Sequence, residues 1–262
     1  MNILEKIIER KKEEITANKK LVSAEQLKQQ AGFNRQVFSL KQFLQDKTKT
    51  GIIAEFKRRS PSKGIINDHA DVVEVTTGYS NAGASCLSVL TDSDFFGGSA
   101  DDLRKARVND IPILRKDFII DEYQLLEARA MGADVILLIA ACLPAARVKE
   151  LAFFAGTLQL EVLLEIHNEE ELGHICDGID LVGVNNRDLK TFSVDINRSV
   201  ELSKHIPAGK LKIAESGIDS IETISTFKNA GFKGFLMGEK FMKQPDPTIA
   251  FAEFVKQFKA EV

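Results

Sequence analysis

The sequence contains no uncharged apolar stretch near the roughly 18 residues that a membrane helix needs, so no membrane span and no membrane partner is expected. Cysteine is scarce. Cys86, Cys142 and Cys176 are an odd three, and no pair stands in CxxC spacing. Cys86 and Cys142 lie in or beside apolar runs and read as reduced core thiols, a usage that suits the cytoplasm. A basic excess is also missing. The formal net charge of -3 gives no general electrostatic case for nucleic acid, although it leaves room for a local cationic pocket. The start, Met1-Asn2-Ile3-Leu4-Glu5-Lys6, is charged almost at once and reads as lacking the apolar region of a secretory leader. Neither a Walker-type loop nor a GxGxxG fingerprint occurs, so nucleotide binding is unsupported. His69, His167, His174 and His205 make no HExxH cluster, and each reads as surface or local structure. No metal and no cofactor is expected.

What remains is an ordinary globular composition, 44% apolar and 28% charged over 262 residues, enough to bury a substantial core. No Pro/Gly/Ser-rich or low-complexity linker divides the chain. One domain is expected over 1–262, with 1–48 a helical extension and 49–262 the main body. Ile3, Leu4, Ile7, Ile8 and Ile15 recur near helical spacing, and shorter helices are expected over Ser23–Gln30, with Ser23 as N-cap, and Ser39–Gln45. A coiled coil is the alternative for the first segment, which is too short for one.

From Gly51 the rhythm changes to short β-prone runs, each followed by a helix-like segment. The runs are Ile52–Phe56, Cys86–Leu90, Pro112–Lys116, Val135–Ile139, Glu161–Glu165, Leu181–Asn185, Lys212–Glu215 and Gly234–Gly238. Their starts are mostly about 20 to 35 residues apart, the spacing of a βα repeat. They are continuously apolar, as strands covered on both faces should be. Helices over Val72–Asn81 and Glu122–Met131 end at Gly83 and Gly132, and the small residue-Gly-strand junction recurs at Ala230-Gly231-Phe232. The fold class expected is α/β, a (β/α)8 TIM barrel with an N-terminal helical extension. An open doubly wound sheet is the alternative.

In such a barrel, chemistry sits where the strands end. Those ends carry Glu55 and Lys57, then Lys116 with Asp117, then Glu165, Asn185 with Arg187, Glu215 with Ser216, and Gly238 with Glu239. One charge at a strand end is simply where polar residues begin. Several from different strands converging on one mouth are costly to bury without pairing or function, although a structural ion-pair network stays open. Lys57 and Lys116 in one pocket depress each other's pKa, whereas Glu55, Glu165 and Glu215 raise them, and the sequence does not say which wins. Small residues after the last two strands, at Ser216-Gly217 and Gly238-Glu239, suit a phosphate held by backbone N–H groups and helix N-termini. Two ordinary glycine turns are the plain alternative.

The ordered series Ile53–Ser62, Leu87–Asp92 with Phe95–Ser99, Leu114–Ile119, Leu163–His167, Gly183–Leu189, Ala214–Ile218 and Phe235–Glu239 resembles the indole-3-glycerol-phosphate synthase family of tryptophan biosynthesis. It spans most of the chain, and its order is far more specific than any one motif. The resemblance implies a carboxy-lyase. It would close the ring of 1-(2-carboxyphenylamino)-1-deoxyribulose 5-phosphate, with loss of CO₂ and water, to indole-3-glycerol phosphate. It implies Lys116 as general acid on the carbonyl oxygen and Glu165 as the base of dehydration. Lys57 would hold the substrate carboxylate and act as an acid. Glu55, Asn185, Glu215 and Ser216 position these groups, and Arg187 orders the site from beside it. Ser60, Lys57, Gly217, Gly238 and the Glu239 backbone would take the phosphate, and Phe96 and Phe118 would flank the anthranilate ring. The expected partner is this small sugar-phosphate substrate, with a monomer and association with other enzymes of the pathway as further expectations. Lys240 and Ala141–Ala145 depart from the family pattern, and neither touches the proposed acid or base. A Schiff-base aldolase using a barrel lysine, a sugar-phosphate isomerase and an inactive scaffold are the alternatives.

Overall fold

The eight apolar runs form strands with both faces covered. They are β1 (Ile52–Phe56), β2 (Cys86–Leu90), β3 (Ile113–Lys116), β4 (Val135–Ile139), β5 (Glu161–Ile166), β6 (Leu181–Asn185), β7 (Leu211–Glu215) and β8 (Phe232–Met237). In the computed structural model, which describes residues 3–188 and 193–261, all eight close into one barrel. Each runs parallel to its neighbours in chain order, and β8 returns to β1 with Ile53 opposite Leu236. Closure excludes the open sheet. Met1, Asn2 and Leu189 lie outside the described residues.

Side chains alternate across a strand, so each strand has an inner and an outer column. Ile53, Cys86, Leu114, Leu137, Leu163, Leu181, Ile213 and Leu236 pack inside the barrel. Ile52, Ala54, Leu87, Ile136, Val162, Val182, Ala214 and Phe235, of the other parity, pack under the helices.

Among the described residues, three α-helices precede β1, namely α1 (Ile3–Leu21), α2 (Ala24–Lys28) and α3 (Leu40–Gln45), with a 3₁₀ turn at Ala31–Asn34 before α3. Ser23 forms a capping box with Gln26, and Ser39 caps α3. Helix α3 plugs the N-terminal end of the barrel. Its Leu40 and Leu44 join the inner cluster, each burial contributing about 2 kcal/mol. The Ser39 hydroxyl and the Lys41 N–H donate to Glu161 at the start of β5. Helix α1 lies across the other end, where Ile3, Leu4 and Ile7 line a cavity.

The remaining helices are α4 (Val72–Ala82), α5 (Ala100–Ala106), α6 (Glu122–Met131), α7 (Ala145–Thr157), α8 (Ile196–Ser203), α9 (Ile221–Asn229), α10 (Glu239–Met242) and α11 (Pro247–Glu261). Helices α4 and α6 stop at left-handed glycines, Gly83 at φ 110° and Gly132 at φ 95°. The repeat has one departure. Between β5 and β6 stands the 3₁₀ segment Glu169–His174, not an α-helix. The connection is short, and the Asn168 cap and Gly173 favour a tight turn there.

Lys11 of α1, one of the charges between its apolar positions, is fully buried. Its Nζ lies 2.9 Å from Glu14, 3.0 Å from Asp92 and 2.9 Å from Asp117. Burial depresses the ammonium, but the charges of Asp117, Asp92 and Glu14 outweigh it and hold the pKa well above the usual lysine range. Burial likewise raises Asp117. The charges of Arg115 and Lys11 and a hydrogen bond from Thr91 outweigh that and lower it to about 2. The Asp117 contribution to stability is therefore complete above its ordinary value of 3.8 and is lost as the pH falls toward about 2. Replacing Lys11 with Met leaves Asp92 and Asp117 buried without their shared cation. We expect Lys11→Met to lower the free energy of unfolding by about 3 kcal/mol in urea titration at neutral pH. An unchanged midpoint and slope would contradict this account of the α1 anchor.

Candidate active site

Two residues beyond an inner apolar side chain, four strands place a charged one. Ile53 is followed by Glu55, Leu114 by Lys116, Leu163 by Glu165 and Ile213 by Glu215. All four line a cavity of about 310 Å³ at the C-terminal end of the barrel. Lys116 Nζ lies 3.4 Å from Glu165 Oε2 and 3.8 Å from Glu215 Oε2. Asn185, at the end of β6, donates from Nδ2 to Glu165 Oε1 at 3.0 Å and accepts the Arg187 N–H at 3.0 Å. Lys57 Nζ stands 2.5 Å from Glu55 Oε1.

Two glycines make room for these carboxylates. A Cβ on Gly183 would stand 2.0 Å from Glu215 Oε1, and one on Gly238 would stand 2.8 Å from both Cβ and Oε1 of Glu55. Any side chain at either position would displace a charged group.

Burial works against the Lys116 ammonium, but the charges of Glu165, Glu215 and Glu55 outweigh it and hold the pKa well above the usual lysine range. The carboxylates therefore win the contest that the sequence leaves open. Burial also works against ionised Glu165. The Lys116 charge, the contact and charge of His167 and the Asn185 hydrogen bond outweigh it, and Glu165 stays well below the usual carboxylate range. Glu215 is pushed up, first by burial and then by the neighbouring Glu165 charge, with Lys116 offsetting only part. Its Oε1 has no hydrogen-bond partner.

Loops complete the cavity. Phe96 and Phe118 form an aromatic wall, with ring centroids 5.9 Å apart and planes at 39°. The Phe95 and Phe96 N–H groups donate to Asp92, the carboxylate that also meets Lys11, so the anchor of α1 also fixes this wall. Ser60, Gly217, Gly238 and Glu239 line a further part of the cavity. Ser216 and Gly217 both take φ 67°, which is strained for serine. Asn186 holds that turn by donating to the Ser216 carbonyl at 2.6 Å. A Cβ on Gly217 would stand 2.3 Å from Val194. Arg187 stays at the rim, 3.7 Å from Glu239 Oε2, and Lys63 is 3.7 Å from Oε1. The Lys240 ammonium donates to the Asp219 carbonyl at 2.5 Å.

All fourteen sequence-predicted site residues line this one cavity. His167 reads from sequence as surface or local structure, and the structure overturns the surface reading. It is buried, two residues beyond Glu165 in the same inner column, with Nε2 3.2 Å from Glu165 Oε1. The period of two along β5 was the available signal. His69 and His205 are exposed, and His174 bonds to the Leu143 carbonyl. Among the described residues, no cluster of three or more His, Cys, Asp and Glu side chains could hold a metal. None of the described helices is long and apolar enough to cross a membrane.

Comparison with known proteins adds three findings. A family model described as indole-3-glycerol phosphate synthase matches residues 4–254. The chain is 49% identical to the indole-3-glycerol phosphate synthase of Bacteroides thetaiotaomicron over 258 residues, 97% of this chain and 98% of that one. It is 42% identical to that of Bordetella pertussis over 259 residues, 97% and 99% of the two chains. Among solved structures, tryptophan synthase subunit alpha from Legionella pneumophila is similar at a TM-score of 0.61 and 14% identity, covering 84% of this chain and 97% of that one. A 3-hexulose-6-phosphate synthase is similar at 0.62 and 13%, covering 80% and 99%. At those identities the structural likeness concerns the barrel alone.

The electrostatics make His167 a titratable reporter of the site. Burial lowers its pKa, but the contacts and charges of Glu165 and Glu171 outweigh this and raise it to about 9. A raised histidine stabilises the fold fully below its ordinary value of 6.5, and that contribution is lost as the pH rises to about 9. A ring-nitrogen NMR titration of the native protein should therefore give a His167 midpoint near pH 9. A midpoint at or below 6.5 would contradict the assigned charge state.

Proposed function

The chain belongs to the indole-3-glycerol phosphate synthase family, and from that premise we propose how its side chains divide the work. The reaction is ring closure of 1-(2-carboxyphenylamino)-1-deoxyribulose 5-phosphate with loss of CO₂ and water. Lys116 is the general acid that protonates the substrate carbonyl oxygen, so that the aromatic carbon bearing the carboxylate attacks an electrophilic centre. Decarboxylation restores the aromatic ring. The hydroxyl formed from the carbonyl oxygen then takes a second proton, from Lys57, and leaves as water, while Glu165 takes up the proton lost from the adjacent carbon as the double bond of the new ring forms. Lys57, paired with Glu55, orients the leaving carboxylate and serves as a second acid. A looser hold suits this group, because it must depart as CO₂. Asn185 and Glu215 position the acid and the base.

The phosphate lies against Ser60, Gly217, Gly238 and the Glu239 backbone, near the starts of α9 and α10. Ser216 holds the turn that presents Gly217. Phe96 and Phe118 hold the anthranilate ring, and Arg187 steadies the rim through Glu239. The chain works as one domain, because α1 supplies both a wall of the cavity and a cation to the barrel's buried carboxylates. Free thiols at Cys86, Cys142 and Cys176 support a cytoplasmic setting, where we place it as a monomer able to associate with other enzymes of the pathway.

The observation that carries this reading is the pairing of Lys116 with Glu165. An acid that is charged and a base that is ionised stand 3.4 Å apart in one cavity, each in its working protonation state. The same observation weighs against a Schiff-base aldolase, which needs the lysine as a neutral amine. The test is indole fluorescence, together with CO₂ release, on adding the anilino-ribulose phosphate. Native protein should give both signals. Lys116→Ala and Glu165→Gln should each lower kcat by about 10²–10⁴-fold while keeping the native circular dichroism. A folded native protein that releases no CO₂, or a Lys116→Ala variant with native turnover, would sink the assignment.

A further inference from the structure

The two oxygens of Glu165 have different neighbours. Oε1 accepts the Asn185 amide at 3.0 Å and has His167 Nε2 3.2 Å away. Oε2 faces Lys116 Nζ at 3.4 Å. His167 is in turn held from its far side. Its backbone N–H donates to Glu171 Oε2 at 2.7 Å, and its Nδ1 lies 3.4 Å from the same oxygen. Asn168 fixes Glu171 from both ends, donating to its Oε1 at 3.1 Å and accepting its N–H at 3.1 Å.

The Asn168 and Glu171 contacts cap the 3₁₀ segment, but that local role does not call for an imidazole at position 167. The His167 side chain is only 8% exposed, and its Nε2 has no well-aligned hydrogen-bond partner. A buried ring nitrogen without a partner is unfavourable, and an apolar side chain would fill the same column without that penalty. What the imidazole does have is two carboxylates, one on each side, with which a charged ring is paired. The nearer of the two on the cavity side belongs to Glu165. The off-line approach of Nε2 matters little to an ion pair, which is not directional.

We infer that His167 and Glu171 are positioning residues for Glu165: they hold its carboxylate by Oε1, ionised and fixed in direction, and leave Oε2 as the oxygen that takes the proton. The inference rests on the reading of Glu165 as the base. The groups that bear on Glu165 are Lys116 from β3, Asn185 from β6, Glu215 from β7, His167 itself and Cys142 after β4. The Cys142 thiol, pushed up to about 12 by burial, stays neutral. Of these groups, Lys116 and His167 bring positive charge. Removing the His167 charge therefore makes Glu165 easier to protonate.

The test is kcat and KM against pH for native protein and four variants, with the His167 ring titration followed alongside. His167→Leu removes both charge and donor. It should lower kcat about tenfold with KM within about twofold, and move the acidic limb of kcat toward neutral pH by about one unit or more. His167→Gln keeps a donor without the charge. It should recover part of kcat while the acidic limb stays displaced. Glu171→Gln leaves the ring charged at acid pH, so it should lower kcat by less than His167→Leu without moving the limb toward neutral pH. A merely structural histidine would lower the amount of folded protein and leave the limb in place. Native kcat in both His167→Gln and Glu171→Gln, together with a native acidic limb in His167→Gln, overturns the inference, even if His167→Leu does not fold. Glu165→Gln separates the two readings. If it is inactive while the His167 variants keep the native limb, only the positioning role fails. If it turns over near the native rate, the base assignment fails and the inference goes with it. The His167 titration midpoint should also fall in Glu165→Gln, and an unmoved midpoint counts against any coupling between the two groups.

Discussion

An ammonium inside a closed barrel is stable only where negative charge surrounds it, and the site is built around that requirement for Lys116. Three carboxyl groups from other strands meet it, Glu165 at 3.4 Å and Glu215 at 3.8 Å, with the Glu55 charge behind them. Bringing those carboxylates into the interior creates a second requirement, for space. Gly183 and Gly238 meet it by carrying no side chain where Glu215 and Glu55 must lie. The carboxylates then need partners of their own. Lys57 serves Glu55, while Asn185 and His167 serve Glu165. Packing and charge therefore cannot be varied separately at this end of the barrel.

The two ends of the barrel solve opposite problems with the same extension. At the N-terminal end the inner column is apolar, and α3 closes it with Leu40 and Leu44. At the C-terminal end the inner column is charged, and closing it with apolar residues alone would strand those charges. Helix α1 instead covers the mouth with Ile3, Leu4 and Ile7 and is fastened by Lys11 to Asp92 and Asp117. Asp92 is shared between that fastening and the backbone that carries Phe96. A change in the seat of α1 is therefore felt at the aromatic wall.

The barrel was legible because its strands are buried on both faces, which makes them unbroken apolar runs, and because glycine stops mark α4 and α6. The strand-end set was legible for a related reason. A charge directly following an apolar run has few places to go but the mouth. The residues that escaped are those whose role depends on three-dimensional closure. His167 read as surface or local structure, yet it continues the inner column of β5. Lys11 looked like one of many charges along α1, and only docking shows that its face points at Asp92 and Asp117. Gly183 is silent in sequence, since what it provides is the space that Glu215 occupies. The outcome of the pKa contest was hidden too, because it depends on distances between strands far apart in the chain. The 3₁₀ segment after β5 defeated the expectation of a full helix, and that tight turn is what brings Glu171 back against His167.

Glu165 and Glu215 show how one interior makes two carboxyl groups unlike. Both follow an apolar inner residue by two positions, both are buried, and both face Lys116. Glu165 has Asn185 and His167 on one oxygen and the nearer approach of Lys116 on the other. These partners outweigh the burial that works against its ionised form. Glu215 has an oxygen with no hydrogen-bond partner, a more distant ammonium and a charged Glu165 across the cavity, so its pKa rises. Environments that push two neighbouring carboxyls apart in this way assign different work to them. The ionised group can accept a proton. The other holds its own proton to higher pH and can donate a hydrogen bond to whatever lies in the cavity. Two fully ionised carboxylates side by side would repel each other, and the one farther from Lys116 is pushed toward its protonated form. The nearer and more ionised Glu165 therefore takes the larger share of the pairing with Lys116, and Glu215 the smaller.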